Sequence, residues 1–217
     1  MELKEAIKKR KSIRAFREDP IPREILREIL EYAINAPSAI NLQPWEFIIV
    51  SGEERKRLSR KLLKAYREKK ISCSPGNVKP LPEVFLRRGY DSFLSLNGYI
   101  KDMGKEFDEF INEGSCDFYG APSAILICLD NAFSYRRFLD IGIVLGYILL
   151  LAQEFGLATC TIGLISAYED EIREVLNIPE SKKVAIAVAI GYPDMENPLN
   201  NFKTQRDEVD MFIRWVD

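Results

Sequence analysis

From Phe138 to Phe155 the chain is apolar almost all the way round a helix, with Ile141, Ile143, Val144, Leu145, Tyr147, Ile148, Leu149, Leu150 and Leu151 leaving no polar face. A helix without a polar side must be covered on every side. The stretch falls short of the ~20 residues needed to cross a bilayer, and Asp140 and Glu154 flank it, so it reads as the central helix of a packed protein. A single chain of 217 residues would struggle to cover it. Gly142 and Gly146 would let another backbone come close, so part of the helix surface is expected to be an interface between two copies of the chain.

Short apolar runs surround that helix at intervals. Phe47 to Val50, Ser123 to Leu129 and Val184 to Ile190 read as buried strands, and Gly156 to Leu164 as a turn, a brief strand and a second turn. Helical spacing places amphipathic helices over Leu3–Lys9, from Pro22 to about Ala36, from Glu53 to about Lys70, and from Ala167 to Leu176. This alternation predicts an α+β fold with one central mixed β-sheet flanked by helices, all in one domain spanning 1–217. Residues 71–117 are less regular. Pro and Gly clusters precede helical patterns around Glu83–Arg88 and Ser95–Glu113, which fit either a packed helical excursion or a lid over a substrate. Residues 194–217 read as a polar arm ending in an apolar hook (Val209, Phe212, Ile213, Trp215), a pattern suited to docking on a neighbouring surface.

Composition removes several kinds of chemistry. Histidine is absent, which excludes Ser-His-Asp and Cys-His catalysis and the commonest metal sites. The four cysteines (Cys73, Cys116, Cys128, Cys160) are scattered, suggest neither a zinc set nor a disulfide framework, and read as small apolar side chains. A formal charge of −2 implies no nucleic-acid face. The N-terminus lacks the apolar core of a signal peptide and no run is long enough for a membrane span, so the expectation is a cytoplasmic protein.

Three segments carry potential chemistry. Arg10-Lys11-Ser12-Ile13-Arg14 gathers cations and a hydroxyl at the end of a short helix, either as a solvated basic face or as an anion site. The loop from Pro37 to Pro44 offers Ser38, Asn41 and Gln43 as donors and acceptors, although turn-forming residues alone would look similar. Lys203 and Arg206 add cations near the other end. Neither GxGxxG nor GxxxxGK[ST] follows any strand, so a phosphate would have to be held by side chains, a task suited to the planar fork of arginine.

Taken together, Arg10-x-Ser12-x-Arg14-x-Phe16, Pro37-Ser38-x-x-Asn41-x-Gln43-Pro44-Trp45, Tyr119-Gly120-Ala121-Pro122, Asp140-Ile141-Gly142, Gly156-Leu157, Ile162-Gly163 and the Lys203/Arg206 tail resemble the FMN-dependent nitroreductase family across nearly the whole chain. The resemblance implies a nitroreductase-like fold assembled as an intertwined homodimer, with the apolar helix at its centre and bound FMN at the subunit interface. It implies that Arg10, Ser12 and Arg206 contact the FMN phosphate with Lys11 and Lys203 nearby, and that Arg14 reaches the flavin N1/O2 edge. Pro37, Ser38, Ala39, Asn41 and Gln43 would form the second cofactor-binding segment, with Pro37, Ser38 and Asn41 coming from the second subunit. At Ile162-Gly163-Leu164, backbone amides would face flavin N5. Two positions depart from the family pattern: Ala39 stands where a second hydroxyl is common, and Thr204 and Gln205 separate Lys203 from Arg206.

The activity so implied is ping-pong transfer of electrons from NAD(P)H to a small electron-poor acceptor such as a nitroaromatic or quinone. A flavin carries its own reactive atom, so no catalytic side chain is needed. Reductive dehalogenation or flavin cleavage would share every motif above. A flavin-binding redox module without turnover, or a purely structural dimer, are readings of a different kind.

Overall fold

A computed structural model describes residues 1–216. Seven α-helices and four strands alternate along the chain: α1 Leu3–Lys9, α2 Arg23–Ala33, β1 Glu46–Ser51, α3 Gly52–Lys69, α4 Glu83–Asp102, α5 Phe107–Cys116, β2 Ser123–Asp130, α6 Phe138–Glu154, β3 Ala158–Ile162, α7 Glu169–Leu176 and β4 Lys182–Gly191. The strands form one sheet in the order β1-β2-β4-β3.

The sheet differs from the mixed one expected. All three strand pairings are antiparallel, and parallel pairing among the described residues is limited to an isolated bridge between Ser12 and Thr159. Hydrophobic runs of this length do not encode direction; partner strands and connections do. β2 lies second in the sheet and is buried on both faces from Ser123 to Leu129. Its alternate residues feed two cores. Ala124, Leu126 and Cys128 face α3 and α7 through Leu58, Leu62 and Ile172, whereas Ile125, Ile127 and Leu129 face α2 and α6 through Leu26, Ile29, Val144 and Ile148. A third, smaller cluster joins Leu96 and Ile100 of α4 to Phe110 of α5 and to Leu199 and Phe202 near the C-terminal end.

Helix ends shift for local reasons. α2 stops at Ala33, short of the expected Ala36, where the Asn35 side-chain amide donates to the carbonyls of Glu31 and Tyr32 at 3.1 Å each and takes over the role of further helical turns. The two helical patterns in the middle region are divided at a different place. α4 runs unbroken through Gly89 and Gly98 and stops before Gly104, whose φ of +69° permits a Schellman turn with Gly104 N–H on Lys101 O and Lys105 N–H on Ile100 O.

α6 buries Ile141, Val144, Ile148 and Ala152 on its sheet-facing side. Its other side stays open in a single chain, with Leu139 70% and Tyr147 40% exposed and Gly142 exposed. One protomer thus covers one face of the helix. Truncation of Ile148 to alanine, at a fully buried position between sheet and helix, is expected to lower unfolding free energy by about 2–5 kcal/mol in a urea titration.

Candidate active site

α1 delivers the chain to Arg10, whose N–H closes the helix on Ala6 O at 2.9 Å. The next residues run along the outer side of the edge strand β3. Ser12 bridges Thr159, Ile13 N–H donates to Thr159 O at 3.0 Å, and Arg17 N–H donates to Tyr192 O at 2.9 Å just beyond β4. Ile13 is buried, so the extended backbone turns its neighbours Ser12 and Arg14 the other way. The Tyr119-Gly120-Ala121-Pro122 segment supports this path from beneath. Phe118, Tyr119 and Gly120 all have φ between +52° and +72°, and Tyr119 lies against Gly114, where an added Cβ would come within 2.5 Å of its ring. The guanidinium of Arg14 sits 5.7 Å from the Tyr119 ring centre.

The C-terminal segment meets this N-terminal segment through Asn200. Only 2% exposed, Asn200 accepts from Arg14 N–H at 3.1 Å through its side-chain oxygen and donates through its amide to Ala15 O at 2.7 Å and Asp194 O at 2.8 Å. Its own carbonyl accepts from Lys11 Nζ. Phe202 then inserts into the cluster with α4 and α5, and Lys203 to Arg206 follow. The result is a cleft of about 800 Å³ lined by Arg10, Lys11, Ser12 and Arg14 on one side, Lys203, Thr204, Gln205 and Arg206 on another, and Arg88, Asp91, Ser92 and Ser95 of α4.

Its electrostatics are lopsided. Among the described residues, Arg10, Lys11, Arg14, Lys203 and Arg206 form no ion pair with a carboxylate. Burial, and then the neighbouring Lys203 ammonium, hold the Lys11 amine below the usual lysine range. Arg14 Nε is buried without a partner. Among the described residues, Arg206 donates only within its own loop, to Thr204 Oγ1 and Gln205 O at 2.7 Å each. Gathered cations with buried, unanswered donors are costly, and a multiply charged anion in the cleft would answer them.

The structure therefore brings together Arg10, Lys11, Ser12, Arg14, Lys203 and Arg206. It does not bring Pro37, Ser38, Ala39, Asn41, Gln43, Ile162, Gly163 or Leu164 to the lining of that cleft within one chain. The Pro37–Pro44 loop is instead an exposed, strained projection. Ile40, Asn41 and Gln43 all have positive φ, Ile40 is 90% exposed, and Ser38 Oγ accepts from Gln43 N–H at 2.9 Å. Ile162 and Leu164 bury their side chains in the core and so can offer only backbone. Gly163 is exposed, and a Cβ there would meet nothing within 4 Å. This chain's own packing thus gives no reason for glycine at that position. The cysteines are as expected at three places: Cys116, Cys128 and Cys160 are buried and burial raises their thiols, to about 12 at Cys116 and about 11 at Cys128, while Cys73 lies exposed.

Asn200 was not anticipated from sequence. A lone asparagine in a polar arm looks like a turn residue; Asn197-Pro198-Leu199-Asn200 was the available signal, with Asn197 capping a short helical turn by accepting from Leu199 N–H. The same holds for Arg88 and its neighbours, which periodicity assigned only to a helix.

A fold of this layout, with cations from both chain ends in one cleft, defines an α+β protein with a site suited to an anion. Residues 7–192 match the family model described as the nitroreductase family, and the chain belongs to that family. It is 30% identical to nitroreductase NfnB of Mycolicibacterium smegmatis over 92% of this chain and 86% of that protein, and 28% identical to chloronitrobenzene nitroreductase of Comamonas testosteroni over 97% and 95%. Among solved structures, the FMN-dependent nitroreductase NfnB from Mycobacterium smegmatis in complex with NADPH superposes with a TM-score of 0.89 at 30% identity, covering 99% of this chain and 97% of that one.

Replacing Asn200 with alanine would strand the Arg14 N–H and leave the carbonyls of Ala15 and Asp194 with one backbone donor each, from Asp194 and Asn197. The expected loss is about 1–3 kcal/mol of unfolding free energy, read from chemical denaturation, the cost of a buried group left unpaired.

Proposed function

We propose that this protein is an FMN-dependent oxidoreductase that takes electrons from NAD(P)H and passes them, in ping-pong order, to a small electron-poor acceptor such as a nitroaromatic or quinone. The observation that carries this reading is the convergence of Arg10, Lys11, Lys203 and Arg206 on one cleft, none of them in an ion pair with a carboxylate among the described residues. The nitroreductases among its relatives support the reaction type.

The residues present fit the cofactor. Arg10, Ser12 and Arg206, with Lys11 and Lys203, have the charge and donors for the FMN phosphate, and the buried, unpaired Nε of Arg14 suits the N1/O2 edge of the ring. Lys11 is lowered by burial first and by the Lys203 ammonium second, and a phosphate between the two amines would favour the charged form of both. When bound, FMN supplies hydride acceptance and release at N5. The chain's contribution is placement and charge. Gly163, with open space where a side chain would stand, lets a flat ring approach the backbone amides of Gly163 and Leu164. The buried thiols, held protonated by burial, have no part in the reaction.

The working unit in this reading is an intertwined homodimer with FMN at its interface. The open face of α6 and the exposed Val209, Phe212 and Trp215 of the C-terminal arm are the surfaces a second copy would cover, and Pro37, Ser38 and Asn41 would reach the partner's cofactor. In the same reading the 71–117 region, α4 above all, shapes the acceptor side. No helix among the described residues is long and apolar enough to cross a membrane, and a cytoplasmic setting suits a pyridine-nucleotide donor.

Purified protein is expected to carry or take up FMN, with a visible flavin spectrum that bleaches on adding NADH or NADPH and returns on adding a nitroaromatic. Arg10→Ala and Arg206→Ala should each weaken FMN affinity by about ten- to a hundredfold, as loss of a charge-assisted contact does. Protein that cannot bind FMN would refute the reading. Sedimentation should give about twice the chain mass of 25.0 kDa; a stable monomer with full FMN affinity would refute the shared site.

A further inference from the structure

Among the described residues, the guanidinium of the candidate phosphate ligand Arg206 donates only to Thr204 and Gln205 in the same loop, so its own bonds do not fasten it to the body of the protein. Buried Phe202 anchors the start of that loop, and polar contacts beyond it place the rest. Lys203 Nζ donates to Lys8 O at 3.3 Å, a long bond from a side chain that is itself a candidate ligand. A second is made by Asp207, next in sequence to Arg206. Its Oδ2 accepts from Arg88 Nε at 2.9 Å and Nη2 at 2.7 Å, and from Arg87 Nη2 at 3.2 Å. The Arg88 guanidinium also lies 5.5 Å from the Phe85 ring centre and 5.0 Å from that of Phe212, so it is held between an aromatic of α4 and one from the C-terminal arm. The Arg88 bonds hold the Asp207 carboxyl below its ordinary range.

Arg88 and Asp207 both line the cleft that holds Arg206. Two guanidinium donors on one carboxylate oxygen, with two aromatic rings close to the same guanidinium, fix orientation better than an isolated surface pair does. We propose that Asp207 is a positioning residue: the Asp207–Arg88 clasp seats the C-terminal loop on α4 and so presents Arg206 to the cofactor phosphate, linking cofactor affinity to the seating of α4. This inference rests on the FMN reading above. By linkage, whatever favours the seated loop favours the phosphate, and the phosphate in turn favours the seated α4.

The clasp and simple electrostatics make opposite predictions. Asp207→Asn removes a negative charge beside an anion site and, if only charge mattered, would tighten FMN binding while freeing Arg88 to join it. If the clasp positions Arg206, the same change loosens the loop and weakens binding. Apo-protein should be titrated with FMN and with riboflavin, following flavin fluorescence, for the unaltered chain, Asp207→Asn, Arg88→Gln and the exchanged pair Arg88→Asp with Asp207→Arg.

The expected result is an FMN affinity about tenfold weaker in both single variants, little change for riboflavin, and partial recovery in the exchanged pair, with apo-protein thermal midpoints close to that of the unaltered chain. Unchanged or tighter FMN binding by Asp207→Asn overturns the proposal. An equal loss for FMN and riboflavin also overturns it, because the clasp would then act on the ring side and not through Arg206. Failure of the unaltered chain to bind FMN would instead refute the cofactor reading, and so is distinguishable from both.

Discussion

Asn200 stands where the two ends of the polypeptide meet, and the candidate site exists only because that meeting is held. Its side chain uses both faces of its amide on the backbone at Arg14, Ala15 and Asp194, which makes a buried polar residue satisfied and directional at once. An apolar residue of similar size could fill the space but could not set the register between the two segments. The edge strand β3 completes the arrangement by pairing with Ser12 and Ile13, so a backbone edge that would otherwise be open becomes the support of a cationic segment.

The cleft runs against the economy of the rest of the molecule. Elsewhere the carboxylates answer cations locally, as Glu171 does for Lys69, Asp117 for Arg55 and Glu169 for Arg173. In the cleft, five cations have no such partners among the described residues, and burial, then Lys203, lower the pKa of one of them, Lys11. What sets the cleft apart is that these cations are gathered from both ends of the chain onto one concave surface, which suits it to an anion. The strained Pro37–Pro44 loop, with positive φ at Ile40, Asn41 and Gln43, is held by hydrogen bonds within itself, such as Gln43 N–H to Ser38 Oγ, and projects into solvent.

Much of the scaffold was legible from periodicity. Outside 71–117 the strand and helix sites agree with the sequence reading to within a few residues, because burial on β2, or on one face of α2, imposes a pattern that side-chain chemistry must follow. Strand direction was not legible. Val184–Ile190 reads the same whether its neighbour runs with it or against it, and the sheet proved antiparallel where a mixed one was expected. The roles of Asn200 and Asp207 were also invisible, since each is a common polar residue in a loop and its importance comes only from a partner more than a hundred positions away.

By itself, then, the sequence determined the element list, the segregation of apolar residues into a core, the need for something to cover α6, and which cations were available to meet an anion. Those are local properties, set by side-chain volume, polarity and spacing. The tertiary structure decided that Arg10 and Arg206 share one cleft, that a single protomer covers only one face of α6, and that α4 holds the loop bearing Arg206. Such facts depend on where distant backbone segments come to rest, which is settled by the sum of burial and hydrogen bonding over the whole chain and is written in no short stretch of it.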